Sequence, residues 1–439
     1  MLGYLRNNYD RILFALGILI LVFGAGMFVA VKRIFPYHYV NEAFDAAEDW
    51  RRLWRHYLGI RSKWLYETAR TDGVSVHDPA RTWPGVTFVS GYRDGGWHAW
   101  LMDMDGKELH RWSLPSDEIW ASLDGKTEPV PEIDTSIHGA HLYDDGAILA
   151  VVGGRTIVKL DACSKLQWSS PILAHHSVDV QPNGDILVPG MVRETKRMPS
   201  RPNLVPGREG YYDDQLIVRL APDGRTLEQH SVLDLLYGSG WESLLYVGHG
   251  INFTMADVDP LHLNDIEVLQ PEMAAAFPMF EAGDLMIDIR NLNTLAVVDG
   301  DDFKIKWAMT GPFYGQHDPD FLPNGHILMY DNRMSPALRE HGSSRVIEID
   351  PATKTVVWSF DGGEKDRFYS SIGGKVQQLP NGNVLAVAAV AGRVIEIARD
   401  DPAAIVWSYT NVPQEGWAGA VYDAMRLPEV TGGWVGKTC

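Results

Sequence analysis

The sequence predicts an all-β chain: a six-bladed β-propeller behind an N-terminal transmembrane helix and a juxtamembrane helix. Three observations predict it. A half-unit recurs in which an apolar strand, an Asp- or Gly-bearing turn and a second strand end on tryptophan. Hairpins with Asn-Gly or Asp-Gly turns stand between these copies, a strong short-range signal for paired strands. Near the start lies a run of about 20 residues without charge, the length that crosses a bilayer as a helix.

The N-terminal run is ILFALGILILVFGAGMFVAV, residues 12–31, bracketed by Arg11 and Lys32-Arg33. A cleaved signal peptide is the rival reading, but the apolar run continues past the small residues Gly24-Ala25-Gly26. Residues 41–66 carry Phe44, Leu53, Trp54, Tyr57 and Leu58 at helical spacing and read as the juxtamembrane helix. Residues 71–85 are polar, contain Gly and Pro, and read as a connector. The expected organisation is anchor over residues 1–33, helix and linker over 34–82, and propeller over 83–439.

The half-unit is MDMDGKELHRW ending at Trp112, KLDACSKLQW at Trp168, VVDGDDFKIKW at Trp307, EIDPATKTVVW at Trp358 and EIARDDPAAIVW at Trp407. RLAPDGRTLEQH puts His230 in the tryptophan position and makes a sixth copy. The hairpins are HLYDDGAILAV, VDVQPNGDILV, PDFLPNGHILMY and KVQQLPNGNVLAV. Two hairpins make a four-stranded blade, and VYDAMRLP near the C-terminus supplies the strand that closes the ring against the first blade. The tryptophans read as packing between blades.

Composition narrows the function. A formal net charge of −18 argues against a nucleic-acid partner, whose phosphates need a basic surface. The two cysteines, Cys163 and Cys439, are too few to assign a redox compartment; a terminal thiol suits lipidation or pairing.

Aligned on the turn glycines Gly146, Gly184, Gly325 and Gly382, the first strands of four blades open with His138, His176, His317 and Gly374. His262 opens the corresponding strand of blade 4 in LHLNDIEVL. Three of these strands read His-x-x-Asp: His176/Asp179, His262/Asp265 and His317/Asp320. Arg290, in GDLMIDIRNLNT, ends the second strand of blade 4 and falls on the same rim. The long connections 113–137, 191–213 and 231–261 belong to that face as well, and clustered loops on a rigid scaffold build binding sites. A strand-end histidine bonded to backbone is the ordinary reading for any one of these residues. Register-matched imidazoles from several blades, with an arginine, point to a shared axial pocket, because an imidazole cluster is costly to desolvate.

These strings resemble the bacterial arylsulfotransferases, six-bladed propellers with a histidine-lined axial site. QHDPDFLPNGHILMYDN is similar to the segment bearing the family's catalytic histidine, which falls on His317. LHLNDIEVL is similar to the segment with a second active-site histidine, here His262. The arginine of GDLMIDIRN falls on Arg290. HHSVDVQPNGDILVP resembles the blade giving a further histidine, His176 by register with His175 as its close rival. The resemblance implies catalytic roles for His317, His262, Arg290 and His176, with His138, Asp265 and Asn264 contacting substrate. It implies sulfuryl transfer from an aryl sulfate to a phenol through a sulfohistidine, with no cofactor, no metal and no nucleotide donor, on the periplasmic side of the bacterial inner membrane. The chain departs from the family pattern in the insertion between His262 and Arg290, in its retained anchor, and in lacking a cysteine pair near His317.

Two other readings stay open. Three imidazoles facing one axis suit a transition metal with aspartates around it. A membrane-anchored propeller with one-sided insertions also suits a non-catalytic docking subunit, in a homodimer or a membrane-protein complex. No convincing set of quinone-propeller repeat signatures is present.

Overall fold

The computed structural model describes residues 9–32 and 61–436, apart from 128, 130–134, 202–203, 207–209, 246–254, 257, 335–342, 365, 401 and 430–431, together with single positions between 43 and 58. Two compact units result, Met1–Lys63 and Trp64–Cys439.

In the first unit, Tyr9–Lys32 is a helix of 24 residues, and its Phe14, Leu21 and Phe23 side chains are exposed. Among the described residues, no helix is long and apolar enough to cross a membrane. Most of the expected juxtamembrane helix also lies outside the described residues.

The second unit is the propeller. Six antiparallel sheets follow one another along the chain, each running from an inner first strand to an outer fourth. The ring closes as the sequence predicts: Val421–Leu427 is the innermost strand of blade 1 and pairs with Val86–Arg93. The inner strands of blades 2 to 6 are Ile137–Leu142, Asp179–Val180, Leu263–Val268, His317–Phe321 and Lys375–Gln378.

The repeated outer residue explains itself at the interfaces. The Trp112 indole N–H donates to the Gly146 carbonyl at 3.0 Å, Trp168 to Pro222 at 3.1 Å, Trp307 to Pro351 at 3.1 Å and Trp407 to Met104 at 2.8 Å. Each bond reaches a turn of the next blade. At the other two interfaces the Arg399 guanidinium lies over Trp358, 4.4 Å from the ring centre, and His230 stacks on Phe303. One outer aromatic position thus joins every blade to its successor. Trp112, Trp307 and Trp407 are buried core, as expected; Trp168 and Trp358 are only half-buried.

Polar side chains of the inner strands do the same near the axis. Asp423 accepts from the Ala140 N–H at 2.8 Å, Asp179 from Val268 at 3.2 Å, Glu267 from Phe321 at 2.7 Å and Asp318 from Val376 at 2.6 Å. Gln377 exchanges two bonds with the Arg426 backbone. These bonds satisfy backbone groups left over where inner strands of different sheets meet.

Three expectations are corrected. Leu65–Glu67, read as the end of a helix, is a strand paired with Trp417–Gly419; Leu65 and Tyr66 pack on the blade 1 and 2 core, which a strand edge allows. The connector 71–85 contains Gly73–His77, a fifth strand on the outer edge of blade 6. The connection 191–213 is shorter than it reads, because its flanking strands continue to Glu194 and resume at Tyr212. Within it, Val205–Pro206 pairs in parallel with Met255–Ala256 of the 231–261 connection.

Candidate functional site

Inner strands place the histidines, and local irregularity aims them. The first strand of blade 2 shifts register between Ile137 and Ala140, of blade 4 between Leu263 and Asp265, and of blade 5 between His317 and Asp320. His176, His262 and Asp318 adopt φ of 58°, 53° and 55°. That region is unfavourable for side chains with a Cβ, and such strain concentrates at functional sites. A bulge re-aims a side chain that regular pleating would send into the neighbouring blade.

The result is one axial cavity of about 200 Å3, lined by His138, His176, His262, His317 and Arg290, with Asn264 and Ser177 beside them. The ring centres of His176 lie 4.8 Å from His262, 5.2 Å from His138 and 6.1 Å from His317. Six of the seven expected site residues therefore share a cavity. Asp265 is buried but does not line it. Between the two adjacent candidates, His176 faces the cavity, and His175 stands behind it with its Nδ1 2.8 Å from His176 Nδ1.

His317 is held in one tautomer. Its Nδ1–H donates to Asn332 Oδ1 at 2.7 Å and lies 3.0 Å from the Gly315 carbonyl. Its Nε2 accepts from the Gly373 N–H at 3.2 Å, so that nitrogen carries the lone pair. Burial, with the nearby Arg290 charge, pushes the His317 pKa down to about 3 despite the Asn332 bond. The ring is neutral at physiological pH.

The other imidazoles form a relay. His262 Nδ1 is hydrogen-bonded to Asp259, and its Nε2 lies 3.3 Å from His176 Nε2. If His262 donates to the carboxylate, its Nε2 accepts from His176, whose Nδ1 then accepts from His175. One assignment of protons satisfies every contact between neighbours from Asp259 to His175 with every ring neutral, and His175 Nε2 at the end of the row has no partner among the described residues. Burial keeps it so: it depresses His176 well below the usual value, His175 to about 4 and His138 to about 3, and it lowers His262 against the opposing pull of Asp259.

Arg290 starts a one-turn 3-10 helix after the strand Leu285–Ile289. Its N–H donates to the His262 carbonyl at 3.1 Å, and its side chain donates to Asn291 Oδ1 at 3.2 Å. Asn291 in turn donates to the Asp259 carbonyl at 2.7 Å. The arginine and the Asp259–His262 pair are thereby fixed to each other.

Sequence reasoning missed several members. The aspartate beside His262 is Asp259, three residues before it, and the partner of His317 is Asn332, just past the end of the next strand, Ile327–Asp331. The aspartates of the His-x-x-Asp pattern go elsewhere: Asp179 bonds blade 4, and Asp265 and Asp320 lie near Asp318 and each other, where burial and these carboxylates raise their pKa values. Lys375 and Asp318 also line the cavity and pair with each other. Burial alone would lower the Lys375 pKa, but Asp318, Asp423 and Asp265 hold it high. Tyr422 and Ile372 supply an apolar wall, with Tyr422 packed on Trp97 at 4.9 Å. Nothing local in the sequence marks these side chains, because their role depends on ring closure.

Blade 6 contributes glycine where blades 2 to 5 contribute histidine. A Cβ on Gly374 would come 2.5 Å from the Tyr330 ring, so no larger side chain fits without movement. Among the described residues, no group of His, Cys, Asp or Glu side chains is arranged to hold a metal ion.

Residues 153–412 match the family profile described as Arylsulfotransferase (ASST). No curated protein matches the chain. Among solved structures, a protein of unknown function from Bacteroides caccae is 11% identical, with 78% of this chain and 98% of that chain covered and a TM-score of 0.47. The WD40 propeller domain of Doa1 is 11% identical over 83% and 86% of the two chains, TM-score 0.38. The Pan2 WD40 domain of Neurospora crassa is 9% identical over 77% and 87%, TM-score 0.40.

Proposed function

The chain belongs to the arylsulfotransferase family, and on that premise we propose that it moves a sulfuryl group from an aryl sulfate to a phenol through His317. The observation that carries this reading is the neutral His317 ring, whose lone pair sits on Nε2 in the cavity shared with Arg290. Nε2 gives up the Gly373 N–H bond and attacks sulfur; the S–O bond to the aryl group breaks, and its electron pair leaves on the phenolate oxygen. Arg290, with the imidazoles of His176 and His262, offsets charge on the sulfuryl and leaving oxygens. In the second half an acceptor phenol loses its proton and takes the sulfuryl group from nitrogen. Over the exchange, the proton lost by the acceptor is the one the released phenolate requires. The row from His262 to His175 suits its transfer.

The cavity volume supports two separate half-reactions. At about 200 Å3 it is little larger than a cavity that encloses one benzene ring. It accommodates a single-ring sulfate, as a ping-pong exchange of one aryl group at a time requires. Tyr422 and Ile372 offer the aryl ring an apolar wall opposite the polar cluster.

The exposed apolar side chains of Tyr9–Lys32 support the same segment as a membrane anchor. A chromogenic aryl sulfate, assayed with and without a phenol acceptor, tests the activity. The account expects acceptor-dependent release by the wild type and none by His317→Ala with its fold retained. Wild-type turnover in that variant would reject the nucleophile assignment.

A further inference from the structure

Outside the cavity, and among the described residues, one buried cation has no carboxylate in contact: Asp366 acts on Arg393 only from a distance, and Arg70 opposes it. Arg393 opens the third strand of blade 6 and pairs across to Ala388 and Thr410. Its side chain is 1% exposed. Its Nε donates to Ser408 Oγ at 2.9 Å, and both Nη atoms have no partner. The buried hydroxyls of Tyr330, Tyr369 and Thr410 also lack partners. Arg393 lies within electrostatic range of Tyr330, and Tyr330 within range of Tyr369. The Tyr330 ring in turn backs Gly374 of the cavity wall.

Burial lowers the Arg393 pKa only to about 10, so the guanidinium stays charged at neutral pH. A buried charge with no counter-ion in contact is among the costlier features a fold can carry. A water molecule would satisfy the free N–H groups but not the charge. The guanidinium donates and cannot accept, and the three hydroxyls can all donate.

We propose that Arg393, with the hydroxyls of Tyr330, Tyr369 and Thr410, binds a small inorganic anion between blades 5 and 6, behind the wall of the active cavity. The site lies apart from the sulfuryl-transfer residues and takes a halide or a compact oxyanion. Because Gly374 rests on Tyr330 and Gly373 donates to His317, occupancy steadies the wall that faces the nucleophile.

Two measurements on the full chain test it. Crystals soaked in sodium bromide should show an anomalous peak within hydrogen-bonding reach of both Arg393 Nη atoms. Melts in sodium chloride should show a saturating rise in Tm beyond sodium gluconate at matched ionic strength, and Arg393→Met should lose that rise. Sodium sulfate is the third arm: a rise with sulfate but not chloride, absent in Arg393→Met, assigns an oxyanion. If Arg393→Met fails to fold, Tyr369→Phe should weaken the rise, and the bromide map on wild type still decides. An empty bromide map with identical chloride, sulfate and gluconate melts overturns the proposal. So does an anion-specific rise that Arg393→Met retains in full.

Discussion

His317 would be a poor nucleophile in water near neutral pH, where part of any ordinary histidine is protonated. Burial removes that loss. With the folded pKa near 3, the neutral ring persists as pH falls through the range where free imidazole is charged. Protonation blocks attack, so kcat/KM should hold from pH 7 to about 4 and decline only on approach to the His317 pKa. Initial rates on protein shown to be folded at each pH check this; an acid limb near 6.5 would contradict it. Asn332 is a positioning residue. Its Oδ1 fixes the Nδ1–H tautomer, and its Nδ2 donates to the carbonyls of Ser370 and Gly373 at 2.9 and 2.7 Å. Asn332→Leu should lower kcat by about 10- to 100-fold with a smaller effect on KM, as loss of a ring-orienting partner does elsewhere. Its acid limb should also move, which simple destabilisation would not produce. At this scale the sequence disclosed the imidazoles and the arginine but not their partners. His262 and His317 stand at matched registers, whereas Asp259 and Asn332 reach them from a connection and from just past the end of a neighbouring strand.

Within a blade, the informative feature is the irregular start of the inner strand. Three such strands shift register beside their histidine, and the aspartates of the His-x-x-Asp pattern do not reach the imidazoles. Asp179→Ala should cost about 1–3 kcal/mol, since it orphans the buried Val268 N–H, while Asp179→Asn keeps an acceptor and should cost less. Urea melts of both variants distinguish them; equal losses would show that charge, not the hydrogen bond, matters there. Asp265 gives a pH signature. Burial raises its folded pKa above the unfolded value, so its contribution to stability is full below about pH 4 and is lost as pH rises through the folded pKa. Asp265→Asn removes that loss, and its Tm relative to wild type should therefore climb from pH 4.5 to 8. Turn glycines and strand-ending tryptophans made the blades legible. The bulges were not, because a one-residue slip leaves the apolar alternation on either side intact.

Closure governs the molecule as a whole. The strand Val421–Leu427 carries Arg426, fully buried and paired with Glu396 of blade 6 at 3.1 Å. The same guanidinium bonds Thr87 and the Trp83 carbonyl and lies over Trp407. One residue thereby ties the two ends of the propeller together. Arg426→Met should cost about 3–5 kcal/mol by stranding Glu396, and adding Glu396→Leu should restore part of that. Additive losses in the double variant would show that the pair is not coupled. Ring number and the closing strand were readable from six outer-strand repeats and VYDAMRLP. The pairing of Leu65–Glu67 and Gly73–His77 was not, because short polar edge strands lack a periodic signature of their own.

The most direct test of the central claim is to mix the protein with an aryl sulfate, omit any acceptor, and map the labile adduct by mass spectrometry under non-acidic conditions. The account predicts one sulfuryl group on His317, released when a phenol is added and absent from His317→Ala. Turnover without any adduct on this residue, or an adduct that persists when phenol is supplied, would contradict it.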